Sequence, residues 1–216
     1  MIFEQCKADP CVFRFSKEQQ VTIMVLVHVD DTIVAAKGDD ANSLCKHLNS
    51  FFPTNNLGEI THYMGCSFKR NRSNGTLKMS QEAFVSKFLD RFNISNTCPI
   101  PACPSVELLA RREEEDECKE PFREAVGGLM WLADMTRPDI ANAVRDVACH
   151  ADNPLKKHWK AVMGIMKYLK GTANMGRTFC KDGSRELVGL QTQHMRPIRI
   201  PVGRFQGGRC CTAVQP

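Results

Sequence analysis

The sequence has no apolar run long enough to cross a bilayer. Its longest, Val21 to Val29, includes Thr22 and His28 and falls far short of the roughly 18 residues that a spanning helix needs. The first residues, Met1-Ile2-Phe3-Glu4-Gln5, lack the basic and apolar segments of a secretory signal, which points to an intracellular, reducing compartment. There is no Cys-x-x-Cys among the 11 cysteines, Cys98 and Cys103 have no nearby His, and Cys210 and Cys211 are adjacent. Zinc-ligand spacing is therefore missing. An odd number of cysteines spread from Cys6 to Cys211 gives no disulfide framework, and most are expected to be small buried hydrophobes. No internal repeat is visible. A hydrophobic fraction of 43% with 25% charged residues excludes wholesale disorder, collagen-like chains and pure coiled coil.

At 216 residues the chain has room for one domain or a modest pair. The formal charge of +5 hints at a polyanionic partner only if it is concentrated on one surface. Residues 181–216 hold six basic and two acidic side chains, a net of +4, which leaves residues 1–180 close to neutral at +1. The tail has no sustained period of either type and is expected to be irregular.

The first third reads as sheet. Cys11 to Phe15 is a strand, Ser16 to Gln20 a turn, and Val21 to Val29 a β-branched run too continuous for a one-sided sheet, hence a central strand. Thr32 to Ala36 follows, which places Asp30 and Asp31 at the tip of a tight hairpin. Asp39 and Asp40 are set to cap a helix carrying Leu44, Leu48, Phe51 and Phe52 up to Pro53. Thr61 to Arg70 and Thr76 to Met79 form a second hairpin around Asn71 to Gly75. Ser80 is set to cap a helix with Phe84, Val85, Phe88, Leu89 and Phe92 on one face. Pro99, Pro101 and Pro104 open a linker that includes the acidic run Glu113 to Glu117. Helices are predicted over Phe122 to Met135, Asp139 to Cys149 and Leu155 to Lys170, the last bounded by Asn153 as cap, Pro154 and Gly171. Trp131 and Trp159 are expected as core anchors. The class is α+β.

Two features carry chemistry. Adjacent carboxylates at a hairpin tip repel, and a divalent cation is one way to offset that; ordinary solvated turn chemistry is the other reading. Strand alternation alone would point Asp30 and Asp31 to opposite faces, unless the turn reorients them. In the last helix, about 100° per residue puts Lys156, Lys160, Lys167 and Lys170 on one stripe, and Leu155, Trp159, Val162, Met166 and Leu169 on another. No acidic residue occurs between Pro154 and Arg177. The lysine stripe suits phosphates or simply keeps an amphipathic helix soluble. Asp139 has a sufficient role at a helix start, and His150 and His158 are scattered without ligand partners.

The stretch Val27-His28-Val29-Asp30-Asp31 resembles the Tyr-Val-Asp-Asp box of reverse transcriptases, and the chain as a whole resembles Ty1/copia-type retrotransposon Pol polyproteins. Asp9-Pro10-Cys11-Val12-Phe13 is similar to the segment before the box. Leu57-Gly58-Glu59, Tyr63-Met64-Gly65, and Leu77 with Ser80-Gln81 are similar to blocks after it. Ala125-Val126-Gly127-Gly128-Leu129-Met130-Trp131-Leu132, Thr136-Arg137-Pro138-Asp139-Ile140-Ala141, Asn153-Pro154 with His158-Trp159, and Tyr168-Leu169-Lys170-Gly171-Thr172 follow in the family's order, so that the likeness spans residues 5 to 180.

The resemblance implies the C-terminal part of a reverse transcriptase: distal palm and start of thumb over 1–103, a helical thumb or connection region over 104–180, and a basic irregular tail over 181–216. It implies RNA- and DNA-templated DNA synthesis from deoxynucleoside triphosphates, with Asp30 and Asp31 as catalytic metal ligands for two Mg2+ ions. His28, Tyr63, Met64 and Gly65 would lie near the primer, and Lys156, Lys160, Lys167 and Lys170 near phosphates. Two departures stand out. His28 replaces the family's Tyr, and a third metal aspartate and the fingers lie upstream of the matching part. The chain therefore reads as a copy beginning at an internal methionine, inactive alone unless another Pol segment or a second subunit completes it. After Glu186-Leu187-Val188-Gly189 the acidic ribonuclease H continuation is missing, as a frameshift or misjoined exon would produce; the three genomic reading frames beyond Gly189 test this. The alternatives are a non-catalytic nucleic-acid-binding module, a functionless transposon remnant, and a metal-dependent hydrolase using Asp30 and Asp31, which fits the pair but not the ordered blocks.

Overall fold

The β-branched run after Gln20 becomes a nine-residue strand because its neighbours on both sides offer short turns and matching registers. In the computed structural model, which describes residues 2–51, 53–102, 108, 117–181, 186–190, 197–201 and 210–215, the last three segments as backbone only, the chain divides into two units. One is Met1–Tyr63 with Cys180–Pro216, and the other is Met64–Phe179.

The first unit holds β1 (Glu4–Gln5), β2 (Val12–Lys17), β3 (Gln20–His28), β4 (Asp31–Ala36), α1 (Gly38–Asn49), β5 (Asn55–Glu59) and β6 (His62–Tyr63). Antiparallel pairs β2–β3 and β3–β4 make β3 an interior strand, as expected. Its burial alternates, with Ile23 and Val25 buried and their neighbours half-buried. One face packs with Val34 and Ala36 against Ala41, Leu44 and Cys45 of α1, so the continuous apolar run serves a sheet with one principal core face. The β2–β3 turn is shorter than predicted. Glu18 and Gln19 adopt φ of 50° and 62°, the left-handed pair of a type I′ two-residue hairpin.

Three expectations at helix ends are corrected. Asp39 and Asp40 do not cap α1: the N-cap is Lys37, with no side-chain hydrogen bond, and the aspartates lie in the first turn, where they oppose the positive end of the helix dipole. Ser80 does not cap the next helix, because it is buried at the end of a strand and Gln81 takes the N-cap position. Phe51 is 71% exposed and not part of the α1 core face, while Phe52 lies outside the described residues.

The tail is corrected as well. Residues 186–190 and 197–201 pair as β10 (Glu186–Leu190) and β11 (Pro197–Pro201), and β12 (Cys210–Gln215) lies between β4 and β5, giving the sheet order β1-β2-β3-β4-β12-β5. Ladder hydrogen bonds are made by the backbone, so an open edge on β4 can recruit a segment that carries no side-chain period. Cysteine burial is also less general than expected: Cys45 and Cys66 are buried, whereas Cys11, Cys149 and Cys180 are exposed.

The second unit contains β7 (Cys66–Asn71), β8 (Thr76–Ser80), α2 (Glu82–Arg91), α3 (Phe122–Met135), a 3-10 turn at Pro138–Ile140, α4 (Ala141–Ala148), α5 (Lys156–Gly171) and β9 (Gly176–Cys180), with β9 beside β8. Its core joins Val85, Phe88 and Leu89 of α2 to Leu129 and Leu132 of α3, Val144 and Val147 of α4, and Val162, Ile165, Met166 and Leu169 of α5. Within the Gly127-Gly128 pair the glycines differ. A Cβ on Gly127 would meet nothing within 4 Å, whereas one on Gly128 would fall on the Phe88 ring. Only Gly128 is needed for the close approach of α3 to α2. Trp159 packs on Phe92 at 6.0 Å between ring centroids, but Trp131 is 36% exposed on the outer side of α3 and does not anchor the core. The acidic run Glu113 to Glu117 lies outside the described residues except for Glu117, which bridges to Leu155.

The block Thr136-Arg137-Pro138-Asp139 does more than join two helices. Arg137 is 1% exposed; its Nε and Nη2 donate to the two Asp139 carboxylate oxygens at 2.9 and 2.8 Å. Nη1 donates to the Thr172 carbonyl at 2.9 Å and Nη2 to the Thr172 hydroxyl at 2.7 Å. Tyr168 donates its hydroxyl to Asp139 at 2.9 Å, and Thr136 donates to Gln81 Oε1 at 2.8 Å. Asp139 keeps its expected place in the first turn at a helix start and in addition grips Arg137. Burial pushes the Asp139 carboxyl upward, but the hydrogen bonds from Arg137 and Tyr168 and the guanidinium charge outweigh it and hold the group below its usual range.

Two stability predictions follow from this packing. Gly127→Ala should stabilise α3 by about 0.5–1 kcal/mol, as glycine is costly inside a helix, whereas Gly128→Ala should cost about 1–3 kcal/mol through overpacking, both read from urea unfolding. Because the folded carboxyl is depressed, Asp139 contributes stability above its unfolded value near about pH 4 and loses it as pH falls through the folded value. Asp139→Asn should therefore flatten the acid limb of a stability-versus-pH curve, and Arg137→Met should cost about 3–5 kcal/mol at neutral pH.

Candidate functional site

The β3–β4 hairpin closes in two residues. His28 and Asp31 face each other across the register, which leaves Val29 and Asp30 as the turn. Val29 has φ of 54° and is 84% exposed. A positive φ is uncommon and, for a β-branched residue, a strained conformation. Asp30 is exposed and Asp31 half-buried. Since Asp30 sits in the turn, strand alternation does not divide the two carboxylates between opposite faces of the sheet.

Tyr63 belongs to the same unit. Its hydroxyl is buried with no hydrogen-bond partner, and burial, followed by the negative charge of Asp31, raises its pKa. Thus His28 and Tyr63, both predicted as nucleic-acid contacts, share the neighbourhood of Asp31. Met64 and Gly65 form the turn into β7, with φ of 46° and 73°. Two aspartates supply part of the roughly six oxygen ligands that Mg2+ takes, and among the described residues no group of three or more His, Cys, Asp or Glu is placed to hold a metal ion.

The other predicted contacts lie on α5. Its buried face is His158, Val162, Ile165, Met166 and Leu169, while Lys156, Lys160 and Lys170 are exposed and Lys167 is half-buried. Lys160 also borders an apolar groove of about 300 Å³ that includes Val147, Gly164 and Ile165. Cys118 Sγ donates to Glu120 at 3.2 Å, and the Glu120 carboxyl is lowered by that bond first and by the charge of Lys156 last. The start of α5 is not capped by Asn153: the N-cap is Leu155, and its N–H donates to His158 Nδ1 at 3.1 Å. His158 stacks on His150 with 3.9 Å between centroids, so these histidines are paired, not scattered. Sequence reasoning missed the Gln81–Thr136 contact and the Arg137 network; the signal was an arginine and an aspartate two residues apart around a proline, which can form a fork-to-carboxylate pair.

No protein-family model matches the chain, and no solved structure matches it. Over 192 residues it is 35% identical to the Retrovirus-related Pol polyprotein from transposon TNT 1-94 of Nicotiana tabacum, covering 84% of this chain and 14% of that protein. Over 187 residues it is 29% identical to the Retrovirus-related Pol polyprotein from transposon RE1 of Arabidopsis thaliana, covering 84% and 12%. Its homologues are Ty1/copia-type retrotransposon Pol polyproteins. A putative transposon Ty5-1 protein of Saccharomyces cerevisiae is 25% identical over 159 residues, covering 71% of this chain and 50% of that protein. The chain thus spans about one-seventh or less of the first two Pol polyproteins. These matches bear out the likeness to retrotransposon Pol read from the ordered blocks. Among the described residues no helix is long and apolar enough to cross a membrane.

The strained turn of this Pol homologue is open to test. Val29→Gly relieves a positive φ without removing core contacts, and should stabilise the chain by about 1 kcal/mol, measured as a rise in urea midpoint. An unchanged or lower midpoint would show that the turn stores no strain.

Proposed function

We propose that this chain is the distal palm and thumb portion of a retrotransposon RNA-directed DNA polymerase, with Asp30 and Asp31 as ligands for Mg2+. The supporting observation is the aspartate pair on a tight, strained hairpin with Tyr63 close to Asp31, in a homologue of Pol polyproteins. Asp30 and Asp31 would hold the divalent ion, whose positive charge would stabilise the negative charge that develops during nucleotidyl transfer. Asp30, exposed in the turn, takes the metal most directly, and Asp31 ligates or supports it. His28, opposite Asp31, lies against the primer terminus in the position of the family's Tyr. Tyr63, Met64 and Gly65 hold the primer strand, and Lys156, Lys160, Lys167 and Lys170 meet backbone phosphates of template and primer. Two carboxylates do not complete a two-metal site, so another Pol segment or a second subunit supplies the remaining ligand. The second reading is a nucleic-acid-binding module without catalysis, which the separation of lysine and core faces on α5 favours.

Primer extension with purified chain, Mg2+ and deoxynucleoside triphosphates should show no incorporation, while duplex binding should weaken with a salt slope of about 0.9 per phosphate contacted. Incorporation that disappears on Asp30→Ala would overturn the view that the chain alone is inactive. Absence of duplex binding at low salt would count against both readings and leave a remnant without nucleic-acid function.

A further inference from the structure

The β7–β8 hairpin carries a second cationic surface that the functional reading does not use. Its register sets Lys69 directly opposite Lys78, with Ser67 opposite Ser80 and Asn71 opposite Thr76 on the same face; Phe68 faces Met79 and Arg70 faces Leu77 on the other. Residues opposite in an antiparallel pair have Cβ atoms about 4.5–5.5 Å apart, and like charges there are destabilising. No carboxylate occurs in the sequence from Ile60 to Gln81 to offset them. Lys69 is exposed, and Lys78, half-buried, donates to the Asn174 carbonyl at 2.6 Å. That neutral acceptor orders the ammonium but leaves its charge uncompensated. Arg70 and Arg72 add charge to the hairpin while engaged with other groups. Arg177 of β9 donates its Nη2 to the Asp134 carbonyl at 2.8 Å, and its Nε is buried.

We propose that the Lys69–Lys78 face of this hairpin docks a nucleic-acid phosphate backbone, independently of the α5 lysine stripe. A phosphodiester bridging the two ammonium groups offsets their repulsion, and Asn71 and Thr76 extend the same face with polar groups of the kind that position phosphates without reading sequence. The inference rests on nucleic acid as the partner in the proposed function, and it deepens that reading by naming a contact surface.

The test is fluorescence anisotropy of the full chain with a short fluorescein-labelled DNA duplex across a salt series. Lys69→Gln with Lys78→Gln should lower affinity on the order of tenfold at low salt and make the log–log salt slope shallower by about two. Lys69→Glu, which puts opposite charges across the register, should hold or raise the melting temperature while lowering affinity, so lost binding is separated from lost folding. If Lys160→Gln with Lys167→Gln weakens binding but both hairpin variants bind as the parent does, this inference fails and the proposed function stands. If the parent chain does not bind duplex at all, both fail. Capture by phosphatidylserine vesicles in place of duplex would also overturn it.

Discussion

A guanidinium removed from water must be matched by acceptors placed in advance, and Arg137 is the point at which the second unit meets that demand. Arg137 forks onto Asp139 and reaches the carbonyl and hydroxyl of Thr172. Thr172 also donates back to the Tyr168 carbonyl at 2.8 Å, and the Arg137 guanidinium lies 5.4 Å from the centre of the Tyr168 ring. The end of α5 is thereby tied to the connection between α3 and α4. Neighbouring Thr136 binds Gln81, which ties in the start of α2. Removing an acceptor from Arg137 would leave a buried charge without its partner, so the helices share the arrangement that supplies those acceptors.

The first unit rests on a different constraint. Its sheet buries one main face, and the core under α1 is small: Ile23, Val25, Val34 and Ala36 against Ala41, Leu44 and Cys45. The hairpin tip adds nothing to that core and holds Val29 in a conformation that opposes it. Strain of this kind persists where the flanking strands fix the turn, and here the register from Ile23–Ala36 to His28–Asp31 does so. The result is a carboxylate pair held at a defined place at the end of β3, with His28 across the register and Tyr63 within reach of the Asp31 charge.

Elements with a strong period were legible. The limits of α3, the interior position of β3 and the hairpin placing Asp30 and Asp31 all follow from apolar spacing and breakers, because a helix or strand that buries one face has to repeat it. Helix starts were not legible in the same way. Lys37, Gln81 and Leu155 occupy the N-cap positions in place of Asp39, Ser80 and Asn153, since neighbouring strand ends and the His158 ring compete for the same short segments. β12 was invisible for another reason: a strand recruited to an open edge is held by backbone hydrogen bonds, which leave no mark in side-chain alternation.

The sequence by itself determined the likeness to Ty1/copia-type Pol, the α+β class, the aspartate pair at a turn and the lysine stripe of α5, because each depends on residue types at short spacings. Only tertiary structure decided which groups act together. Asp139 became the partner of a buried arginine as well as an acidic group in a helix's first turn, Gly128 became a contact point and Gly127 did not, and two lysines nine positions apart became direct neighbours. Those outcomes depend on register and on packing between elements distant in sequence, where the spacing of residues along the chain carries no information about distance in space.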